Sequence, residues 1–208
     1  ACAPFRRLHL CSHNLETINN TTSMTKHDLL AEVCYAAKYE GDSIRGDHDK
    51  YKQSNEDSQI CTVLARSFAD IGDIVRGRDL FYGNTQEKTK REQLDDNLKK
   101  IFQKIHGGLT GGAKKHYQGT TNYYKLREDW WTANRETVWK ALTCSKELDN
   151  SSYFRVTCSD SDRKGSFSQA NKYCRCGNDQ PGNDKPNIDP PTYFDYVPQF
   201  LRWFEEWA

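Results

Sequence analysis

Three groups of residues in this 208-residue chain have types and spacings that suggest chemistry. The first is the glycine run Gly107 to Gly112, followed by Ala113 and Lys114, which invites comparison with a loop whose backbone N–H groups cradle a phosphate. An alanine precedes the lysine, no Ser or Thr follows Lys115, and no buried strand leads in, so nucleotide binding is not expected. The second group could hold a metal. His9, His13, His27, His48, His106 and His116 sit in polar contexts without a His-x-x-x-His pair or a carboxylate at metal spacing, and each reads as a surface histidine. Cys174 and Cys176 could join His116 around zinc, but a Cys-x-Cys in a cysteine-rich loop favours two separate bridges. No Ser, Cys or carboxylate pair stands in a catalytic context. The reading is a non-enzyme with no cofactor and no metal.

The third group is basic. Lys90, Arg91, Lys99, Lys100 and Lys104 fall along one expected helix, with Lys114, Lys115, Lys125 and Arg127 nearby in sequence. Clustered cations hold sulfates or phosphates through charge-assisted hydrogen bonds. Glu87, Glu92, Asp95 and Asp96 are interleaved, as on an ordinary solvated helix face. Both readings stand at this point: a contact for a polyanionic glycan, or a wet face. The net charge of +1 does not choose between them, and no nucleic-acid partner is implied.

Helices must position these groups. Ile60, Leu64, Phe68, Ile71, Val75 and Leu80 recur near the helical period, so the stretch Cys61 to Leu80 reads as an amphipathic helix beginning at a cysteine. Gly72 inside it costs about 1 kcal/mol relative to alanine, which points to a close helix crossing, and Gly77 reads as the stop. Thr25 caps a helix to Lys38, with Asp28 as its capping-box partner, a stripe of Leu29, Leu30, Val33, Ala36 and Ala37, and Gly41 as the end. Residues 42–58 then read as a polar surface loop. A third helix is expected over Gln86–Ile105, burying Leu94, Leu98, Ile101, Phe102 and Ile105. A flexible connection at Gly107-Gly108 and Gly111-Gly112 leads to a fourth over Asn122–Leu142, with Trp130, Trp131, Val138, Trp139 and Leu142 as core. Cys144–Pro191 reads as disulfide-rich loop with a short buried segment at Tyr153–Val156. A last helix begins near Pro198 and carries Phe200, Leu201, Phe204 and Trp207. It stops mid-pattern, and the domain is expected to continue past Ala208.

The totals set limits. Hydrophobic residues at 36% are enough for a core, while mean hydropathy of -0.93 and the lack of any window near the ~18 apolar residues of a membrane span argue against direct membrane insertion. Eight cysteines without paired Cys-x-x-Cys modules indicate an oxidising compartment and disulfides. The first residues lack the apolar stretch of a signal peptide, so the chain is expected to begin inside a longer protein or after processing. Residues 1–27 read as irregular and pinned by Cys2 and Cys11. Sequons at Asn19, Asn20 and Asn150 imply exposed loops if glycosylated.

Six motifs carry a family resemblance: Cys-Ala-Pro-Phe-Arg-Arg-Leu-His-Leu-Cys at 2–11, Leu-Ala-Arg-Ser-Phe-Ala-Asp-Ile-Gly-Asp-Ile-Val-Arg-Gly at 64–77, Arg-Glu-Asp-Trp-Trp at 127–131, Val-Trp-Lys-Ala-Leu-Thr-Cys at 138–144, Tyr-Cys-Arg-Cys at 173–176 and Val-Pro-Gln-Phe-Leu-Arg-Trp-Phe-Glu-Glu-Trp at 197–207. Together they resemble the Duffy-binding-like domain, and within it the alpha type from the head of the variant erythrocyte membrane protein adhesins of Plasmodium falciparum. The resemblance spans nearly the whole chain. It implies a mainly α-helical fold with long disulfide-bonded loops, built of three subdomains. The chain would hold the first two, as a loop-rich part over 1–60 with one helix and a helical part over 61–208, and lack the third.

The resemblance also implies display on the outer face of the infected erythrocyte, as part of a larger membrane-anchored protein. Adhesion would be to an erythrocyte surface receptor, a heparan-sulfate-like glycan or blood-group sugars, with rosetting. Antibodies and antigenic variation would act on loops such as 42–58, 83–90, 107–121 and 145–190. The alternative is a scaffold or immune-facing domain whose neighbours bind the receptor. By position in the family, Cys61 would pair with Cys158, and Cys144 with Cys174 or Cys176. Cys2, Cys11 and Cys34 complete the cysteines expected in bridges, although the family has cysteines on both sides of this segment with which they could pair. Receptor-contact residues do not carry over, because family binding maps to variable surfaces and the six motifs read as core.

Overall fold

A computed structural model describes residues 2–18, 24–54, 58–119, 121–159 and 167–207. In chain order its helices are α1 (Phe5–Leu8), α2 (His13–Glu16), α3 (Lys26–Lys52), α4 (Ile60–Arg76), α5 (Thr85–Gly107), α6 (Gly111–His116), α7 (Tyr124–Leu142) and α8 (Gln199–Trp207). The two short strands β1 (Cys158–Ser159) and β2 (Phe167–Ser168) form one antiparallel pair in the long connection between α7 and α8. The fold is mainly helical, as the sequence predicts. Sequons Asn19 and Asn20 lie outside the described residues, whereas Asn150 is exposed in a turn with φ 65°.

The core is the three-way packing of α3, α4 and α7. Phe68 of α4 meets Trp131 and Trp139 of α7, with ring centroids 5.1 Å and 5.2 Å apart, within the range where aromatic pairs add to plain burial. Gly72 sits at the crossing the sequence implies: a Cβ there would lie 2.7 Å from the Trp131 ring. Gly77 ends α4 in the left-handed region at φ 71°, leaving Leu80 outside the helix and half exposed.

The start of α3 follows expectation. The Thr25 hydroxyl accepts from the N–H groups of His27 and Asp28, and the Asp28 carboxylate accepts from Thr25 N–H at 2.8 Å. Its end does not. The helix runs through Gly41 to Lys52, so most of the expected 42–58 loop is helix. A Cβ on Gly41 would stand 2.1 Å from the Leu142 carbonyl oxygen of α7. Gly41 is therefore a site of close approach rather than a terminator, and the packing offsets its weak helix propensity. The following turns look like loop in sequence because only Gly41, Ile44, Arg45 and His48 face inward, with Asp42, Ser43, Asp47 and Asp49 in water.

Two departures concern the C-terminal third. The disulfides are Cys61–Cys174 and Cys158–Cys176, each with Cα atoms 5.4 Å apart. The Cys61–Cys158 pairing is thus corrected, as is any bridge from Cys144. Cys2, Cys11, Cys34 and Cys144 are thiols. Tyr173 and Cys174 both take positive φ, at 54° and 52°, and the Trp139 indole N–H donates to the Cys174 carbonyl at 3.0 Å. That turn seats Cys174 against Cys61, at the start of α4, and leaves Cys176 to reach Cys158. Cys144, just past α7, is exposed on the Arg45 side of the molecule. The expected buried segment 153–156 shrinks to Tyr153, whose hydroxyl bonds Thr192 at 3.1 Å, while Phe154 and Val156 are exposed.

The other departure is α8. Its buried residues are Gln199, Arg202 and Trp203, whereas Phe200, Leu201, Phe204 and Trp207 are about half exposed or more. The helix is held to α4 by charge, and its apolar face points outward.

Candidate functional site

The basic residues sort by how their charge is met. Arg127 is fully buried: Nε donates to the Val75 carbonyl at 2.7 Å, one terminal nitrogen to Ile74 O at 3.3 Å and the other to Asp95 at 2.9 Å. It satisfies the last carbonyls of α4 and is removed from the expected glycan contacts. Burial pulls its pKa down, with Asp95 opposing. Arg91 lies over the Phe81 ring at 5.6 Å and reaches Ser12, Glu16 and Asp79, with 16% of its side chain exposed. Lys99 is paired with Asp95 at 2.9 Å and Asp96 at 3.4 Å. These three cations already have partners within the chain.

The remaining six are exposed. Lys90 lies about 20 Å along α5 from Lys104, at 1.5 Å per residue. The other five gather where α5 ends, α6 folds back and α7 begins. Lys114 Nζ donates to Gly107 O at 3.5 Å, His106 Nε2 lies 3.1 Å from Lys114 O, and Lys125 Nζ is 3.4 Å from His116 Nδ1. The His106 and Tyr123 rings pack 5.5 Å apart, which fixes the corner between α5 and α7. Gly111, at φ 56°, starts α6, so the expected flexible connection contains a helical turn. From Asn97 to Arg127 the chain contains no Asp or Glu. Nearby carboxylates come from elsewhere: Asp129 accepts from the Tyr117 hydroxyl at 2.9 Å, and Asp28 feels the charge of Lys104. The Asp28 carboxyl is held below its ordinary range chiefly by the Thr25 backbone and side-chain hydrogen bonds, and Lys104 adds the smallest contribution.

A sequence-only reading misses a second set of charges entirely. Asp70 and Asp73, one turn apart on α4, face α1 and α8. Arg6 donates to Asp70 at 2.8 Å and forms a two-pronged pair with Glu206 at 3.0 Å and 2.9 Å; Arg202 donates to Asp70 at 2.7 Å and to Asp73 at 2.5 Å. A parallel clamp joins α7 to the turn before α8, where Arg135 grips Asp195 through two contacts of 2.8 Å and the Trp131 indole adds one of 2.9 Å. The available signal was the three-residue spacing of Asp70 and Asp73, which puts both carboxylates on one face of the helix. Among the described residues no group of three or more His, Cys, Asp and Glu side chains could hold a metal ion, and no helix is long and apolar enough to cross a membrane.

The Duffy binding domain model matches residues 1–202. The chain belongs to the Duffy binding domain family. Among solved structures it is similar to the NTS-DBL1α1 domain of Plasmodium falciparum membrane protein 1 (PfEMP1) from the varO strain, at 47% identity over all of this chain and TM-score 0.75. It is also similar to a PfEMP1 DBLβ domain solved bound to human ICAM-1, at 32% identity over 97% of this chain and TM-score 0.64. This chain spans 43% and 38% of those two structures. The alpha form of the Plasmodium knowlesi Duffy receptor matches at 24% identity over 69% of this chain, which spans 12% of that receptor's length. Residues of the motifs quoted above pack in this Duffy binding domain. Phe68 and Gly72 meet Trp131, Trp131 bonds Asp195, and Arg202 bonds the carboxylates of α4.

Proposed function

We propose that this domain is a host-cell adhesion module, displayed outside the infected erythrocyte, whose contact with sulfated glycans is the lysine corner of α5, α6 and α7. It acts as a binding domain without catalysis or cofactor, with the segments 1–60 and 61–208 as its two subdomains. Rosetting and exposure to antibodies, with sequence variation in the exposed loops, belong to the same proposal. The observation that carries the glycan contact is the exposure of Lys100, Lys104, Lys114, Lys115 and Lys125 along a carboxylate-free stretch of 31 residues. Exposed ammonium groups attract sulfates over about a Debye length, ~8 Å at physiological salt. Receptor binding by a family member, the DBLβ domain bound to ICAM-1, supports the module reading.

Heparin-column elution of the folded domain tests it. Replacing Lys100, Lys114 and Lys115 with Ala is expected to weaken binding about two- to fivefold per lysine and to lower the eluting salt. Unchanged elution would sink the glycan contact. Erythrocyte binding by the isolated domain separates an adhesion module from a scaffold: saturable binding supports the first, and none supports the second.

A further inference from the structure

The lysine corner contains two imidazoles, and their partners assign them different roles. His106 Nε2 lies 3.1 Å from the Lys114 carbonyl oxygen. A carbonyl only accepts, so this nitrogen carries a proton and donates. His116 Nδ1 lies 3.4 Å from Lys125 Nζ. An ammonium only donates, so here the ring nitrogen accepts, and in this contact the His116 imidazole is neutral with its proton on Nε2. The His116 ring stands edge-on to Tyr117, with centroids 4.9 Å apart, and the Tyr117 hydroxyl donates to Asp129 of α7 at 2.9 Å. His116 and Lys125 are both exposed, so a ligand can reach the two together.

A proton on His116 Nδ1 turns that contact from attraction to repulsion. Imidazole is the side chain that changes charge between pH 5 and 8. Once charged, its Nδ1–H points at the Lys125 ammonium, donor against donor and cation against cation. An anion set against both removes the conflict: it accepts one bond from each, and its charge favours the protonated ring. His106 meets no such conflict, because its Nε2–H bond to the Lys114 carbonyl is kept in either charge state. The other charged groups of the corner are Lys114 and Lys115 on the helix of His116, Lys104 on α5 and Asp129 on α7. Beyond Lys104, at the start of α3, stand His27 and Asp28.

We propose that a sulfate of the bound glycan bridges Lys125 and His116 and that its binding takes up a proton on His116 Nδ1. This rests on the glycan reading of the corner and adds His116 to it as a ligand residue. Proton and sulfate strengthen each other's binding by the same factor, so affinity rises as pH falls. The probe is a heparin-derived hexasaccharide, titrated calorimetrically into the domain at about pH 7.5 and about pH 6, on either side of imidazole titration. Wild type is expected to bind about two- to fivefold more tightly at the lower pH, the value of one exposed ion pair. His116→Gln should lose that gain while leaving affinity at the higher pH almost unchanged, and His106→Gln should keep it. His116→Lys, with a permanent charge, should bind equally at both pH values and as tightly as wild type does in acid. Equal wild-type affinity at the two pH values, with binding still dependent on Lys100, Lys114 and Lys115, overturns the proton uptake and leaves the corner standing. A gain that survives His116→Gln, or one that His106→Gln removes, also overturns it. No binding, or binding indifferent to those three lysines at both pH values, sinks the corner and this proposal together.

Discussion

The carboxylate side of α4 and the lysine corner are both rich in charge and do opposite things with it. Around Asp70 and Asp73 the cations are Arg6, Arg76 and Arg202, all largely buried, and each meets a carboxylate at 2.5 to 2.9 Å. At the corner of α5, α6 and α7 the cations are exposed lysines, of which Lys114 donates to the Gly107 carbonyl and Lys125 lies against the His116 ring. Guanidinium is planar, more weakly hydrated and able to bond two acceptors at once, which suits a buried network; ammonium is compact and strongly hydrated, which keeps it at the surface. Residue type therefore goes with placement here, guanidinium in the buried network and ammonium at the surface.

The largest effect expected from breaking that contrast is at Asp70. Asp70→Ala strips one side chain from Arg6, Arg202 and Gln199 together and leaves guanidinium groups buried without their acceptor. A loss of about 3–5 kcal/mol in denaturant unfolding is expected, and a loss below 1 kcal/mol would refute the structural role. Arg127→Ala comes next, at about 2–3 kcal/mol for a buried charge-assisted network, with heparin elution of the folded fraction unchanged. A lowered eluting salt would return Arg127 to the glycan contacts. Gly72→Ala, which drives a methyl into the Trp131 ring, should cost about 1–3 kcal/mol and leave heparin elution alone. The smallest effect belongs to Lys99→Ala. This surface pair with Asp95 and Asp96 should change stability by under about 1 kcal/mol and leave heparin elution where it was, in contrast to the Lys100, Lys114 and Lys115 triple variant.

Acid sharpens the same comparison. Burial alone would raise the Asp70 carboxyl, but Arg6, Arg202 and Arg7 outweigh it and hold the group below its ordinary value. For Asp73 burial wins over Arg202 and Arg76, and its carboxyl is raised. A depressed folded-state pKa gives stability that is present above the unfolded value, near pH 4, and lost as pH falls through the folded one. Unfolding midpoints should therefore drop below about pH 4 in wild type and drop less in Asp70→Asn. An identical acid profile for the two proteins would remove Asp70 from the account.

The helices were legible because burial imposes a period that burial alone can read: Leu94, Leu98, Ile101 and Phe102 on α5, and Trp130, Trp131, Val138 and Trp139 on α7, are where their spacing puts them. The second half of α3 was illegible because a solvent-facing helix with a glycine at a crossing has the composition of a loop. The nine expected contact cations were legible as charge and not as site, since nothing in the text separates Arg127, which caps α4, from Lys125 two residues earlier, which stands in water.

By itself the sequence determined the helical class, the capping of α3, the close crossing at Gly72 and the family. Each of these depends on residues near one another in the chain or on motif order. Tertiary structure alone decided which cysteines meet, which cations are buried in networks and which face of α8 is wet. Those outcomes depend on groups from distant segments arriving together, as Cys61 does with Cys174 across 113 residues and Arg6 with Glu206 across 200. No local pattern encodes such a meeting: the energy that fixes it is shared by both partners and by the packing that brings them within reach.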